Sequence, residues 1–137
     1  MKTYSLCIMM LLLAKITLNI DLYLVASNNN QINRLIKRLP SKSPFVMDFS
    51  ANRISWNICN QYGGDFTYNK ATSTIKFGYL ISTLIFCTGV TGRLERLVAS
   101  FFDTQPMRYH RLYDDNVHYL INSSGNWLMF INSLVVN

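Results

Sequence analysis

Ile58-Cys59-Asn60-Gln61-Tyr62-Gly63-Gly64-Asp65-Phe66 is the stretch on which the fold turns, and Thr83-Leu84-Ile85-Phe86-Cys87 answers it further along the chain. Leading into the first segment, Ile54, Trp56 and Ile58 alternate with Ser55, Asn57 and Cys59. That period of two marks a strand with one apolar face. Gly63-Gly64 reads as a turn or bulge, Asp65 to Tyr68 resumes as strand, and Asn69-Lys70 suits a turn. Thr74 to Tyr79 is rich in β-branched and aromatic residues, and Leu80 to Cys87 continues apolar, with Gly78 marking a bend between the two halves.

Upstream, Leu22, Leu24 and Ala26 alternate with Tyr23, Val25 and Ser27, giving a first strand closed by Asn28-Asn29-Asn30. A polar segment with Arg34, Lys37, Arg38 and Lys42 follows. It suits a solvated loop holding a helical turn around Ile32, Leu35 and Ile36, which Pro40 and Pro44 end. Phe45 to Phe49 is a short strand. Downstream, Thr88 to Gly92 reads as a loop, and then the period changes. Leu94, Leu97, Val98, Phe101 and Phe102 fall on one helical face, Glu95 suits the first turn of that helix, and Asp103 and Pro106 end it. Three strands close the chain: Arg108 to Tyr113, Val117 to Ile121, and Trp127 to Ile131. The turns between them are Asp114-Asp115-Asn116 and Asn122-Ser123-Ser124-Gly125. The pattern is mainly β with one helix, an α+β class.

With 137 residues, half of them hydrophobic and 15% charged, the chain can bury one core and is too short for two ordinary domains. Thirteen Lys and Arg against seven Asp and Glu give a net charge of +6. That excess favours loose contact with anionic surfaces without marking a nucleic-acid binder. Residues 1–18 carry a basic start at Lys2 and an unbroken apolar run from Leu6 to Ala14. The run suits the core of an export signal and is short of the roughly 20 residues that span a bilayer. A buried first strand or an uncleaved anchor is the competing reading. Residues 19–137 then form the single domain, and secretion or the cell envelope is the expected location. Loss of Cys7 with the signal would leave Cys59 and Cys87, which form either a disulfide or two buried thiols.

Residues 22–130 resemble the META, or HslJ-like, domain. Tyr23-Leu24-Val25 fits its first strand. Cys59, Asn60, Gly64 and Phe66 fit its Gly-Cys-Asn…Gly-x-aromatic element, except that Ile58 stands where the family carries glycine. Ile75, Phe77, Gly78, Thr83 and Cys87 fit the next element, Glu95 the helix, and Gly125, Leu128 and Phe130 the closing hairpin. The resemblance implies a small curled antiparallel sheet, a partly open β-barrel with the helix over one end. It also implies association with heat shock or other stress, the envelope, secretion and, in some parasites, virulence. No established enzymatic activity comes with it.

Asn60, Gly64, Thr83 and Glu95 are the family-motif positions, read either as structural or as partner-binding residues. No catalytic residue is identified: His110 and His118 stand in strand patterns without a nucleophile set. No His or Cys spacing resembles a metal site, and no cofactor is implied. Trp56, Phe77, Phe101 and Trp127 are core residues or, in a small barrel, the lining of an apolar pocket. Asn122 heads an Asn-Ser-Ser N-glycosylation triplet. The function expected is a non-enzymatic exported protein that binds a protein partner or a membrane or envelope surface. The alternative is a carrier of a lipid-like small molecule.

Overall fold

The computed structural model describes residues 19–113 and 115–132. The proposed signal segment, residues 1–18, lies outside them, as does Asp114. The strands are β1 (Asn19–Ser27), β2 (Phe45–Asp48), β3 (Arg53–Asn57), β4 (Gln61–Asn69), β5 (Thr74–Phe77), β6 (Ile81–Ser82), β7 (Met107–Leu112), β8 (Val117–Ile121) and β9 (Trp127–Asn132). Two helices join them, α1 (Asn30–Lys37) and α2 (Gly89–Phe102).

Eight strands close into an antiparallel ring in the order β1-β2-β3-β4-β5-β7-β8-β9, and β9 returns to β1. The partly open barrel expected from the resemblance is therefore corrected. β3 and β4 pair along Arg53↔Asp65 to Asn57↔Gln61, which joins the two halves of the sheet. The thinnest seam is β5 to β7, with Thr74↔Arg108 and Ile75↔Met107. β6 hangs on the far side of β4 through Tyr62↔Ser82 and Gly63↔Ile81.

Alternation sends one face of each ring strand inward. Met47, Ile54, Trp56, Phe66, Ile75, Met107, Tyr109, Leu120, Leu128 and Phe130 are buried in one cluster. In β1, a register shift between Leu24 and Ala26 breaks the alternation. Leu22 and Leu24 point inward, and past the bulge Ser27 is buried in place of Ala26. Trp56 stacks on Phe45, Tyr62 and Phe102 with ring centroids 5.2, 5.0 and 4.7 Å away. Phe102 also meets Phe77 edge-on at 5.0 Å, so α2 adds its apolar face to the same core.

The basic segment holds a full two-turn helix where a single turn was expected. The Asn29 side chain caps α1 by accepting from Gln31 N at 2.9 Å, and Ile32, Leu35 and Ile36 are its buried face. α2 starts at Gly89, so the expected loop at Thr88 to Gly92 is mostly helix. Gly63 and Gly64 lie within β4, not at a turn. The β3–β4 hairpin bends instead at Ile58-Cys59-Asn60.

Candidate functional site

The residues at that bend organise the most unusual part of the molecule. Asn60 is buried at the hairpin tip, and its side-chain oxygen accepts from Ile85 N at 2.6 Å and from the Thr83 hydroxyl at 3.0 Å. Its amide nitrogen lies 2.8 Å from Glu95 Oε2, 3.1 Å from the Ile85 carbonyl and 3.3 Å from Cys87 Sγ. An amide has two N–H donors, so the two oxygens take them in preference to the weakly accepting sulfur. Thr83 is bound twice more: its hydroxyl accepts from Gln61 N, and its own N–H donates to the Gln61 carbonyl.

Glu95 completes the knot from α2. It is 5% exposed, and its Oε1 accepts from Cys59 N at 3.1 Å and Asn60 N at 2.5 Å. The first-turn role expected for it is corrected. The first turn of α2 carries no acid, and Glu95 reaches across to cap the backbone of the β3–β4 bend. Three N–H donors satisfy a carboxylate that would otherwise be costly to bury.

Cys59 and Cys87 form a disulfide across this knot, with Cα atoms 6.3 Å apart. The alternative of two free thiols is thereby excluded. Cys59, Cys87 and Glu95 place three ligand-type atoms within 4.8 Å of one another. Both sulfurs are bonded to each other and the carboxylate is engaged, so the set is closed to a metal while the disulfide stands. Gly64 and Gly92 are the spaces in this assembly. A Cβ on Gly64 would stand 2.8 Å from the Tyr79 carbonyl and 2.9 Å from Leu80 Cδ2, and one on Gly92 would collide with the Cys87 carbonyl.

What the knot holds is the segment between β5 and α2. The run from Leu80 to Cys87, which continues apolar in sequence, forms only the two-residue β6 and then an irregular loop. Tyr79 and Leu84 are each 97% exposed, Phe86 91%, Ile81 77% and Ile85 62%. Isolated apolar residues on a surface are ordinary, but five large ones within eight residues form a patch that calls for an explanation. No sequence signal separated this run from a buried strand.

The remaining sequence candidates disperse. Trp56, Phe77 and Phe101 are buried in the core, whereas Trp127 is half-buried on the outward face of β9 beside Tyr119. The four do not surround one cavity. The apolar hollow lined by Leu24, Ile36, Leu39, Phe45 and Leu94 has a volume of about 50 Å³, and a roomier one of about 450 Å³ beside Tyr68, Lys70, His110 and Arg111 is lined by polar and charged side chains, whereas sites that enclose small ligands are mostly apolar and hold roughly 300–1,000 Å³. Asn122 is 6% exposed. Its oxygen accepts from Ser124 N and Asn126 N, and its amide faces the Phe101 carbonyl, so it staples the β8–β9 turn instead of offering a free glycan acceptor.

His118 and Tyr109 form a second buried polar pair that sequence reasoning missed. His118 Nε2 is 2.7 Å from the Asp115 carbonyl, which can only accept, so Nε2 carries the proton. Nδ1 then accepts from the Tyr109 hydroxyl at 2.7 Å. Burial lowers the His118 pKa below its ordinary value, and burial pushes the Tyr109 phenol up to about 12 against the opposing charge of Arg111.

No protein-family model matches the chain, and no curated protein matches it. Two solved structures are similar in fold. One is an NMR structure of a protein from Burkholderia xenovorans, 16% identical, with 88% of this chain and 87% of that chain aligned at a TM-score of 0.59. The other is also an NMR structure, 13% identical, with 72% and 79% aligned at a TM-score of 0.54. At these identities the likeness extends to the fold and no further.

Proposed function

We propose that the protein is an exported, non-enzymatic binding module of the META type, with residues 79–86 as its contact element. One observation carries this: five large apolar side chains stand in solvent on a segment fixed by a disulfide and a buried amide clamp. Burying one such side chain is worth roughly 1.5–3 kcal/mol, so covering the segment offers on the order of 10 kcal/mol before association costs. Tethering both ends lowers the ordering entropy that a free loop would lose on binding.

Asn60, Thr83 and Glu95 serve as the frame that presents the loop, since their polar atoms are engaged with one another or with backbone. Export agrees with the apolar run after Lys2 and with a disulfide, which persists in oxidising compartments. Association with the envelope and with stress rests on the family resemblance. The carrier alternative draws less support, because the barrel aromatics stack on one another.

The test is retention in the envelope fraction of cells expressing the full chain. Wild type is expected to be retained, and a Leu84→Ser/Phe86→Ser variant of matched melting temperature to be released. Equal retention of the two would refute the loop as contact element.

A further inference from the structure

We propose that the face carrying this loop docks on an anionic phospholipid bilayer. The proposal rests on residues 79–86 being the contact element and names what covers them. Charge is its first support. Arg34 of α1, Arg38 at its C-cap and Arg93 of α2 line one cleft between the helices, and Lys37 shares the neighbouring hollow with Arg34. All four side chains are exposed. No Asp or Glu occurs in residues 22–47 or 66–94. Among the described residues the one ion pair is Arg53–Asp65, so these cations face solvent without a carboxylate partner. The single acid on either helix, Glu95, is turned into the Asn60 knot.

The helix α2 links the basic cluster to the root of the apolar loop. Arg96, one turn beyond Arg93 on α2, places Nη1 3.5 Å from the Cys87 carbonyl at the root of the loop. Apolar and aromatic side chains beside a cluster of unpaired Arg and Lys match the two layers of a bilayer surface, acyl boundary and anionic headgroups.

Bonded peptide groups at Ile81, Ser82, Thr83 and Ile85 lower the cost of bringing this loop against an apolar medium. Unpaired peptide groups are costly in an apolar medium. In this loop Thr83 N–H bonds Gln61, both Ile85 backbone groups bond Asn60, and Ile81–Ser82 pair with β4. The loop presents side chains outward while these peptide groups stay bonded within the protein.

The test is co-sedimentation of the full chain with vesicles of phosphatidylcholine alone and with about 30% phosphatidylglycerol. Every variant carries the same N-terminal segment, so differences between variants report on the folded domain. Wild type is expected to bind anionic vesicles at least about tenfold more tightly than neutral ones, and to weaken as salt rises. Arg34→Glu/Arg38→Glu/Arg93→Glu is expected to lose about tenfold or more on anionic vesicles. The corresponding Arg→Gln triple replaces it should the reversal not fold. Leu84→Ser/Phe86→Ser is expected to lose binding to a similar degree. Equal binding to both vesicle types, or no effect of the arginine changes, overturns the proposal. If vesicle binding fails but Leu84→Ser/Phe86→Ser still releases the protein from the envelope fraction, the contact element stands with a protein as its partner. If those loop changes alter neither readout, both proposals fall.

Discussion

Replacing Asn60 with alanine removes the one side chain that ties the hairpin bend, the apolar loop and α2 together. The bond to Glu95 is the costly loss. It is a 2.8 Å charge-assisted contact at a carboxylate that is 5% exposed, where water cannot readily replace the donor. A hydrogen bond to a charged group contributes about 1.5–3 kcal/mol. The bonds to Thr83 and Ile85 lie at exposed residues and count for about 0.5 kcal/mol each, because water can take them over. The sum is about 3 kcal/mol, a large part of the stability of an ordinary domain, and it corresponds to a fall in melting temperature of about 10 °C. Urea denaturation with the disulfide intact measures it. Amide exchange at Thr83 and Ile85 should accelerate in parallel, since their backbone groups lose their order. In a cycle with Glu95→Gln, the two changes should be non-additive by at least about 1 kcal/mol. A loss below about 1 kcal/mol with unchanged exchange would show that Asn60 is a bystander and that the disulfide alone positions the loop.

Gly64→Ala should cost about 1–3 kcal/mol through overpacking against Tyr79 and Leu80, and should shift resonances in the loop more than in β9; a neutral substitution would contradict the close approach. Reducing the disulfide should lower stability by about 3–4 kcal/mol for a separation of 28 residues, as measured by denaturation of Cys59→Ser/Cys87→Ser; a loss under 1 kcal/mol would contradict this. Stability should also depend on pH at both extremes. His118 has a folded pKa below its unfolded value, so the unfolded chain binds more protons on acidification, and stability falls as pH drops below about 6.5 toward the folded pKa. Tyr109 has a folded pKa of about 12 against an ordinary 10, so its contribution is intact below pH 10 and lost between 10 and 12, a change of about 2–3 kcal/mol. Tyr109→Phe should abolish the alkaline loss; its persistence would assign that loss elsewhere.

Alternation exposed the barrel strands in the sequence, and the Asn122 to Gly125 turn exposed the last hairpin. Three features escaped for separate physical reasons. α1 is only eight residues long, so its buried Ile32, Leu35 and Ile36 supply too little periodicity to separate a helix from a single turn. The start of α2 is hidden by Gly89 and Gly92, which look like helix breakers; Gly92 is needed because Cys87 packs against it. Closure of the ring depends on β3 and β4 pairing beyond the bend, and Gly63-Gly64 mimics a turn at that place. In the site, the motif positions Asn60, Thr83, Glu95, Cys59 and Cys87 do converge. Their roles were not legible, because the partners of Glu95 lie 35 and 36 residues away in sequence.

The apolar loop is where composition and structure part most sharply, and the separation bears on function. Leu84, Ile85 and Phe86 have the composition of a core strand, yet the peptide groups of Ile85 are bonded to Asn60 while all three side chains stand outside. If the knot served stability alone, an apolar contact at Asn60 and Glu95 would do as well, because buried ionic groups give little net stabilisation. A directional clamp instead fixes where a backbone sits, which matters when its side chains must be displayed. Stability and docking should therefore separate by position. Leu84→Ser/Phe86→Ser removes side chains that make little contact in the free protein, so it should change stability by less than about 0.5 kcal/mol while weakening docking. Asn60→Ala should lower both. If Leu84→Ser/Phe86→Ser instead destabilises the fold by several kcal/mol, the loop is packed in solution and the display argument fails at its root.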